Sequence, residues 1–249
     1  MTRENVRKIL LINLFILIIV SIVLIVWKKN NQDPASIEEK EKLESDENFE
    51  QLLLTSLNDK SNYDWIVVVN PAHGGSDSGY QSGEISEKDI TLEIAKQMKV
   101  DNNNSKVGIF LTRETDTNPS FVQRNVFVEK MEADLFIDIH MNKDAKEETF
   151  GTSVYYQTDY FDSKVTNVTF ADIVERNVVE KISGKANGIF ETKDKQYEVL
   201  SGKTIPSISI ECGYLSNSTE GVMLTRELYQ KNISVGLLNA VDEALDYLR

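Results

Sequence analysis

Apolar and polar positions along this chain fall into three regimes. The first is a nearly continuous apolar run from Ile9 to Trp27, broken only by Asn13 and Ser21. It is close to the ~20 residues needed to cross a bilayer core as a helix. Arg3, Arg7 and Lys8 precede it, and Lys28 and Lys29 follow. The basic start favours a cytoplasmic N-terminus, and no small-x-small cleavage site follows the run. Residues 1–29 are therefore read as an uncleaved, single-pass membrane anchor, with a cleaved signal peptide as the alternative, and the rest of the chain is expected outside the cytoplasm, on the cell-wall side. Residues 30–62 are polar and acidic, Ile37-Glu-Glu-Lys-Glu-Lys-Leu-Glu-Ser-Asp-Glu among them, and read as a tether with some helix near Phe49–Leu57.

From residue 63 to 249 strand-like and helix-like runs alternate. Trp65–Val69, Val107–Thr112, Leu135–His140, Thr152–Gln157 and Ser207–Glu211 are predicted strands. Ile90, Ile94 and Met98 mark a helix over Ile90–Val100. Asn118-Pro119 is the expected start of another, with Asn118 as cap and Pro119 in the first turn. A third helix is expected over Lys164–Ile182, and Ile233, Leu237, Val241, Ala244, Leu245 and Leu248 form one stripe of a closing helix. Such alternation predicts an α/β fold, with helices covering a mostly parallel sheet.

Composition narrows the chemistry. The formal charge of −13 argues against a nucleic-acid partner, which needs a basic face. A single cysteine, Cys212, permits no internal disulfide and no thiolate metal cage. It follows Glu211 directly in a strand, so it points to the opposite, core-facing side and is a poor nucleophile candidate. Gly74-Gly75 is too short to cradle a phosphate.

Only two histidines occur, so any histidine-based metal site must use them. His73 lies in Asn70-Pro-Ala-His-Gly-Gly, just past the first strand, and His140 ends Leu135-Phe-Ile-Asp-Ile-His. Both sit at strand ends, where α/β folds hold their ligands. A catalytic zinc commonly takes a His2Glu set and leaves one position for water. Two carboxylates compete for attention. Glu87 opens a helix, where a negative charge also complements the macrodipole. Glu211 closes the apolar strand Ile205-Pro-Ser-Ile-Ser-Ile-Glu, where a carboxylate needs either a salt-bridge partner or a role.

Five segments in register, Asn70-Pro-Ala-His-Gly-Gly, Glu87-Lys-Asp-Ile-Thr-Leu-Glu-Ile-Ala, Leu111-Thr-Arg-Glu-Thr-Asp, Ala133-Asp-Leu-Phe-Ile-Asp-Ile-His-Met-Asn and Glu211-Cys-Gly-Tyr-Leu-Ser-Asn, resemble the zinc-dependent N-acetylmuramoyl-L-alanine amidases. The resemblance runs from about Trp65 to the C-terminus. It implies a six-stranded central sheet, zinc held by His73, Glu87 and His140, and Glu211 as catalytic acid/base. It also implies peptidoglycan as substrate, while identifying no activating protein. Two departures stand out: Asn70-Pro-Ala replaces the family's usual Asp-Pro-Gly, and Asp138-Ile-His replaces Ser-Ile-His. Asp138 is expected to be solvated or salt-bridged, with a role in orienting His140 as the alternative. The layout of one anchor and a bare catalytic domain also resembles the germination-specific amidases of spore-forming bacteria, which act on spore cortex. Two competing readings are a non-catalytic wall-binding or regulatory domain and a zinc peptidase acting within the stem peptide.

Overall fold

A computed structural model describes Ser21, residues 34–158 and residues 164–249. Among these residues no helix is long and apolar enough to cross a membrane. The expected anchor, apart from Ser21, lies outside the described residues. Two compact units are present, Met1–Asp46 and Glu47–Arg249.

Helix α1 (Pro34–Asp59) occupies most of the stretch expected to be a tether. Its C-terminal part belongs to the second unit, where Phe49 is buried against Phe127 with ring centroids 6.1 Å apart. The chain then builds β1 (Trp65–Pro71), a small hairpin of β2 (Gln81–Ser82) and β3 (Ile85–Ser86), α2 (Glu87–Asp101) and β4 (Val107–Leu111). Helix α3 (Phe121–Met131), β5 (Leu135–Asn142), β6 (Thr152–Tyr156) and α4 (Asn167–Ile182) follow. The last elements are β7 (Ala186–Glu191), a 3₁₀ segment (Lys195–Leu200), β8 (Ser207–Tyr214), the short α5 (Glu220–Leu224) and α6 (Glu227–Leu248).

Six strands form one sheet in the order β4-β1-β5-β8-β6-β7. Every neighbouring pair is parallel except β6 with β8. The α/β sandwich with a mostly parallel six-stranded sheet is thus present. Strand alternation splits the core into two layers. Val67, Val69, Ile137, Ile139 and Cys212 face the cluster that includes Ile94, Val174 and Leu237 from α2, α4 and α6. Val68, Phe110 and Phe136 face Phe49 and Phe127 on the other side. Val67, Val68 and Val69 are all fully buried, which accounts for the unbroken apolar reading of β1.

One expected boundary is corrected. Helix α3 is capped by Ser120, not by Asn118: the Ser120 side chain accepts from the Gln123 N–H and the Gln123 side chain accepts in return from the Ser120 N–H. This capping box satisfies two helix-start donors reciprocally. Asn118 is engaged elsewhere, its Oδ1 accepting from Arg124 Nη2 at 3.2 Å.

Candidate active site

The parallel pairing puts the C-terminal ends of β1, β5 and β8 on one edge of the sheet, and an open cleft of about 750 Å³ lies there. Each predicted side chain arrives by its own route. His73 stands just beyond β1 with φ of 60°, a left-handed conformation that a non-glycine residue rarely adopts. Two buried arginines hold that loop. Arg113 Nε donates to the Pro71 carbonyl at 3.0 Å, and its Nη2 to those of Ala72 and Lys88 at 2.9 and 2.8 Å. Arg124 Nη2 donates to the His73 carbonyl at 2.9 Å. Arg113 therefore ties the His73 loop to the first turn of α2, which carries Glu87.

Glu87 Oε1 is 3.2 Å from His73 Nε2 and 3.1 Å from His140 Nδ1. The three ligand atoms all lie within 4.8 Å of one another. Ligand distances near 2.0–2.1 Å around a tetrahedral ion would separate neighbouring donor atoms by ~3.3 Å. The two observed edges match that spacing, so these residues fit a small divalent metal. The opposite ring nitrogens are also held by carboxylates: His73 Nδ1 is 2.9 Å from Asp77 Oδ2, and His140 Nε2 is 3.1 Å from Asp138 Oδ2. An imidazole whose outer nitrogen is fixed by a carboxylate offers its inner lone pair to a metal. Glu87 is itself oriented, accepting from Met141 N–H at Oε1 and Tyr80 N–H at Oε2, both at 2.9 Å.

Electrostatics agree with this assignment. Burial opposes charge on both rings, yet the surrounding carboxylates outweigh it. Glu87 and Asp77 raise His73, and Asp138, with Glu87 and Glu211, raises His140 well above the ordinary imidazole value. Burial also opposes charge on Glu87, but the two histidines hold it well below the carboxylate range. The cluster is a place where positive charge is favoured.

Glu211 lies beside His140 as its register partner on β8. Tyr197 Oη donates to its Oε1 at 2.8 Å, while Oε2 is buried with no partner in the protein. Burial, opposed by His140 and Tyr197 and reinforced by Glu87 and Asp138, pushes its pKa up to about 7. Cys212 is fully buried on the far face, and burial raises its thiol well above the usual value, so no thiolate nucleophile is present there.

Asp138 is not solvated. It is fully buried and bound to His140, Asn70 and Ser209. Asp77, Tyr197 and Arg124 also contribute to the site, although sequence reasoning does not single them out. Asp77 carries a local hint, four residues after His73 in a Ser-Asp-Ser-Gly turn. Tyr197 sits in a 3₁₀ segment with no periodic pattern.

Gly79 tests the fit. Its φ is +64°, and a Cβ there would come within 2.6 Å of both Glu87 Oε2 and His73 Cδ2. Gly79→Ala is expected to push the two side chains apart and to add ~1–2 kcal/mol of backbone strain. Metal titration of the folded variant should show weakened binding; an unchanged affinity would mean the contact is easily relieved.

Two histidines and a glutamate facing one point, with a buried acid beside them at the carboxyl edge of a parallel sheet, define a hydrolase-type site on an α/β scaffold. The N-acetylmuramoyl-L-alanine amidase family model matches residues 67–243, and the chain belongs to that family. It is an N-acetylmuramoyl-L-alanine amidase, an enzyme of the peptidoglycan cell wall. The germination-specific N-acetylmuramoyl-L-alanine amidase of Bacillus subtilis is 27% identical over 193 residues, covering 71% of this chain and 78% of that protein. The catalytic domain of CwlV from Bacillus (Paenibacillus) polymyxa var. colistinus superposes with a TM-score of 0.66 at 29% identity, covering 74% of this chain and 99% of that one. An N-acetylmuramoyl-L-alanine amidase from Clostridium difficile 630 does so with 0.68 at 28% identity, covering 74% and 98%.

Proposed function

We propose that this amidase is a zinc enzyme, with His73, Glu87 and His140 as metal ligands and Glu211 as general acid/base. Zinc held there would supply Lewis acidity, which acidifies water and polarises a carbonyl. Glu211 removes the proton from the attacking water and returns it to the departing L-alanine nitrogen. An amide nitrogen leaves poorly unless protonated, so one group must both take and give. Tyr197 holds one Glu211 oxygen and leaves the other free. Asp77 and Asp138 keep the two imidazoles turned inward.

The observation that carries this reading is the unpartnered Oε2 of Glu211, buried in the cleft beside His140. A buried polar atom without a partner is uncommon and costly; a water or substrate group seated against the histidines would satisfy it. Purified protein incubated with peptidoglycan is expected to release intact stem peptides beginning with L-alanine. A chelator should abolish release and added zinc restore it. Peptides cut within the stem would replace this reading with a peptidase, and wall binding without release would leave a non-catalytic module.

Location completes the proposal. The apolar run at residues 9–27 anchors the enzyme in the cell membrane with the catalytic unit on the wall side. The Bacillus subtilis relative's name, germination-specific, supports a role in germination, for which the spore cortex is the proposed substrate.

A further inference from the structure

Behind the metal-binding side chains runs a buried polar chain assembled from several elements. Asn70 in β1 and Asp138 in β5 are register partners, and Asn70 Nδ2 donates to Asp138 Oδ1 at 2.6 Å. The second oxygen of Asp138 accepts from Ser209 Oγ at 3.0 Å and lies 3.1 Å from His140 Nε2. On its other side Asn70 Oδ1 accepts from Thr112 Oγ1 and from Arg124 Nη1. Arg124 Nη2 in turn donates to the His73 carbonyl. A continuous line of contacts thus links the backbone of one histidine to the ring of the other.

The order of groups in that line matters. A guanidinium and a carboxylate buried close together ordinarily pair directly, in a two-pronged contact that occupies both oxygens. Here a neutral amide stands between Arg124 and Asp138. Arg124 directs its donors to Asn70 and to the carbonyls of Pro71, His73 and Pro119. Asp138 keeps an oxygen for His140. Positions 70 and 138 are also both among those at which the chain departs from the family's motifs, and in space these two are in direct contact.

We propose that Asn70 and Asp138 act as one unit in which Asp138 is a positioning residue for His140. Its carboxylate turns the ring so that Nδ1 faces Glu87 and strengthens that nitrogen as a donor to the metal. Asn70 is the neutral link that leaves Arg124 to brace the His73 loop. This rests on the zinc reading of the site.

The test is zinc affinity by chelator competition on the full-length protein, with thermal unfolding of the metal-free form followed in parallel. Asp138→Asn preserves shape and removes the charge; its zinc affinity is expected to fall about 10–100-fold, as for other outer partners of ligating histidines. The exchange N70D/D138N restores one carboxylate and one amide to the pair. It is expected to recover the metal-free melting temperature while zinc affinity stays low, because the carboxylate now faces Arg124 instead of the ring. Wild-type affinity in Asp138→Asn, or in the exchange protein, would overturn the proposal. Should Asp138→Asn fail to fold, the exchange protein decides alone. A wild-type protein that binds no zinc would overturn the zinc reading itself, a result distinct from either of these.

Discussion

Glu211→Gln is expected to bind zinc like the wild type and to release stem peptides about 10²–10⁴-fold more slowly, the range that positioned acid/base groups supply. The glutamine is nearly isosteric, so it still accepts the Tyr197 hydrogen bond made at Oε1. What it cannot do is take a proton from water and hand it to the amide nitrogen. It also introduces N–H donors where the unpartnered Oε2 now sits. Zinc content measured beside peptide release by mass spectrometry separates a chemical defect from a structural one. Wild-type turnover in this variant would remove Glu211 from the reaction.

Glu87→Gln is the second large effect, and here the defect should precede chemistry. Glu87 supplies the negative member of the ligand set and stands within 3.2 Å of both imidazoles. Its two oxygens also accept the Tyr80 and Met141 N–H groups. An amide side chain can satisfy only one of these donors, leaving the other facing an N–H₂ group at a cost of ~1–3 kcal/mol. Zinc retention is therefore expected to fall more than ~100-fold, beyond the range of outer partners, with a lowered melting temperature. Metal stoichiometry of the folded fraction after gel filtration measures this. Full occupancy in Glu87→Gln would exclude Glu87 as an essential ligand.

Much of this scaffold is readable in the residues, for reasons that also explain what is not. Buried parallel strands such as Trp65–Pro71 announce themselves by continuous β-branched runs. Residues 186–191, Ala-Asn-Gly-Ile-Phe-Glu, do not, because β7 is an edge strand with no buried residue and no alternation. The scarcity of histidine is enough to pair His73 with His140, and an acid ending an apolar strand draws attention to Glu211. Glu87 is a candidate from its place at a helix start, but a glutamate in a first helical turn has an ordinary explanation, and only the family resemblance makes it a ligand. Asp138 reads as solvated or salt-bridged and proves fully buried and paired with His140, because alternation tells which face a side chain occupies and says nothing about what covers that face. Arg113, Arg124 and Tyr197 act through backbone carbonyls or through side chains as far as 54 residues away. No local pattern encodes such contacts.

The left-handed backbone at His73 has a consequence for the order of assembly. Arg124 holds the His73 carbonyl, and the paired Gly74 and Asp77 backbones close the turn. An uncomfortable backbone shape is thereby held by contacts within the polypeptide itself. With the turn braced by its own polypeptide, the His73 ring would stand near Glu87 before any cation arrived, and seating one there would ask no refolding of that loop.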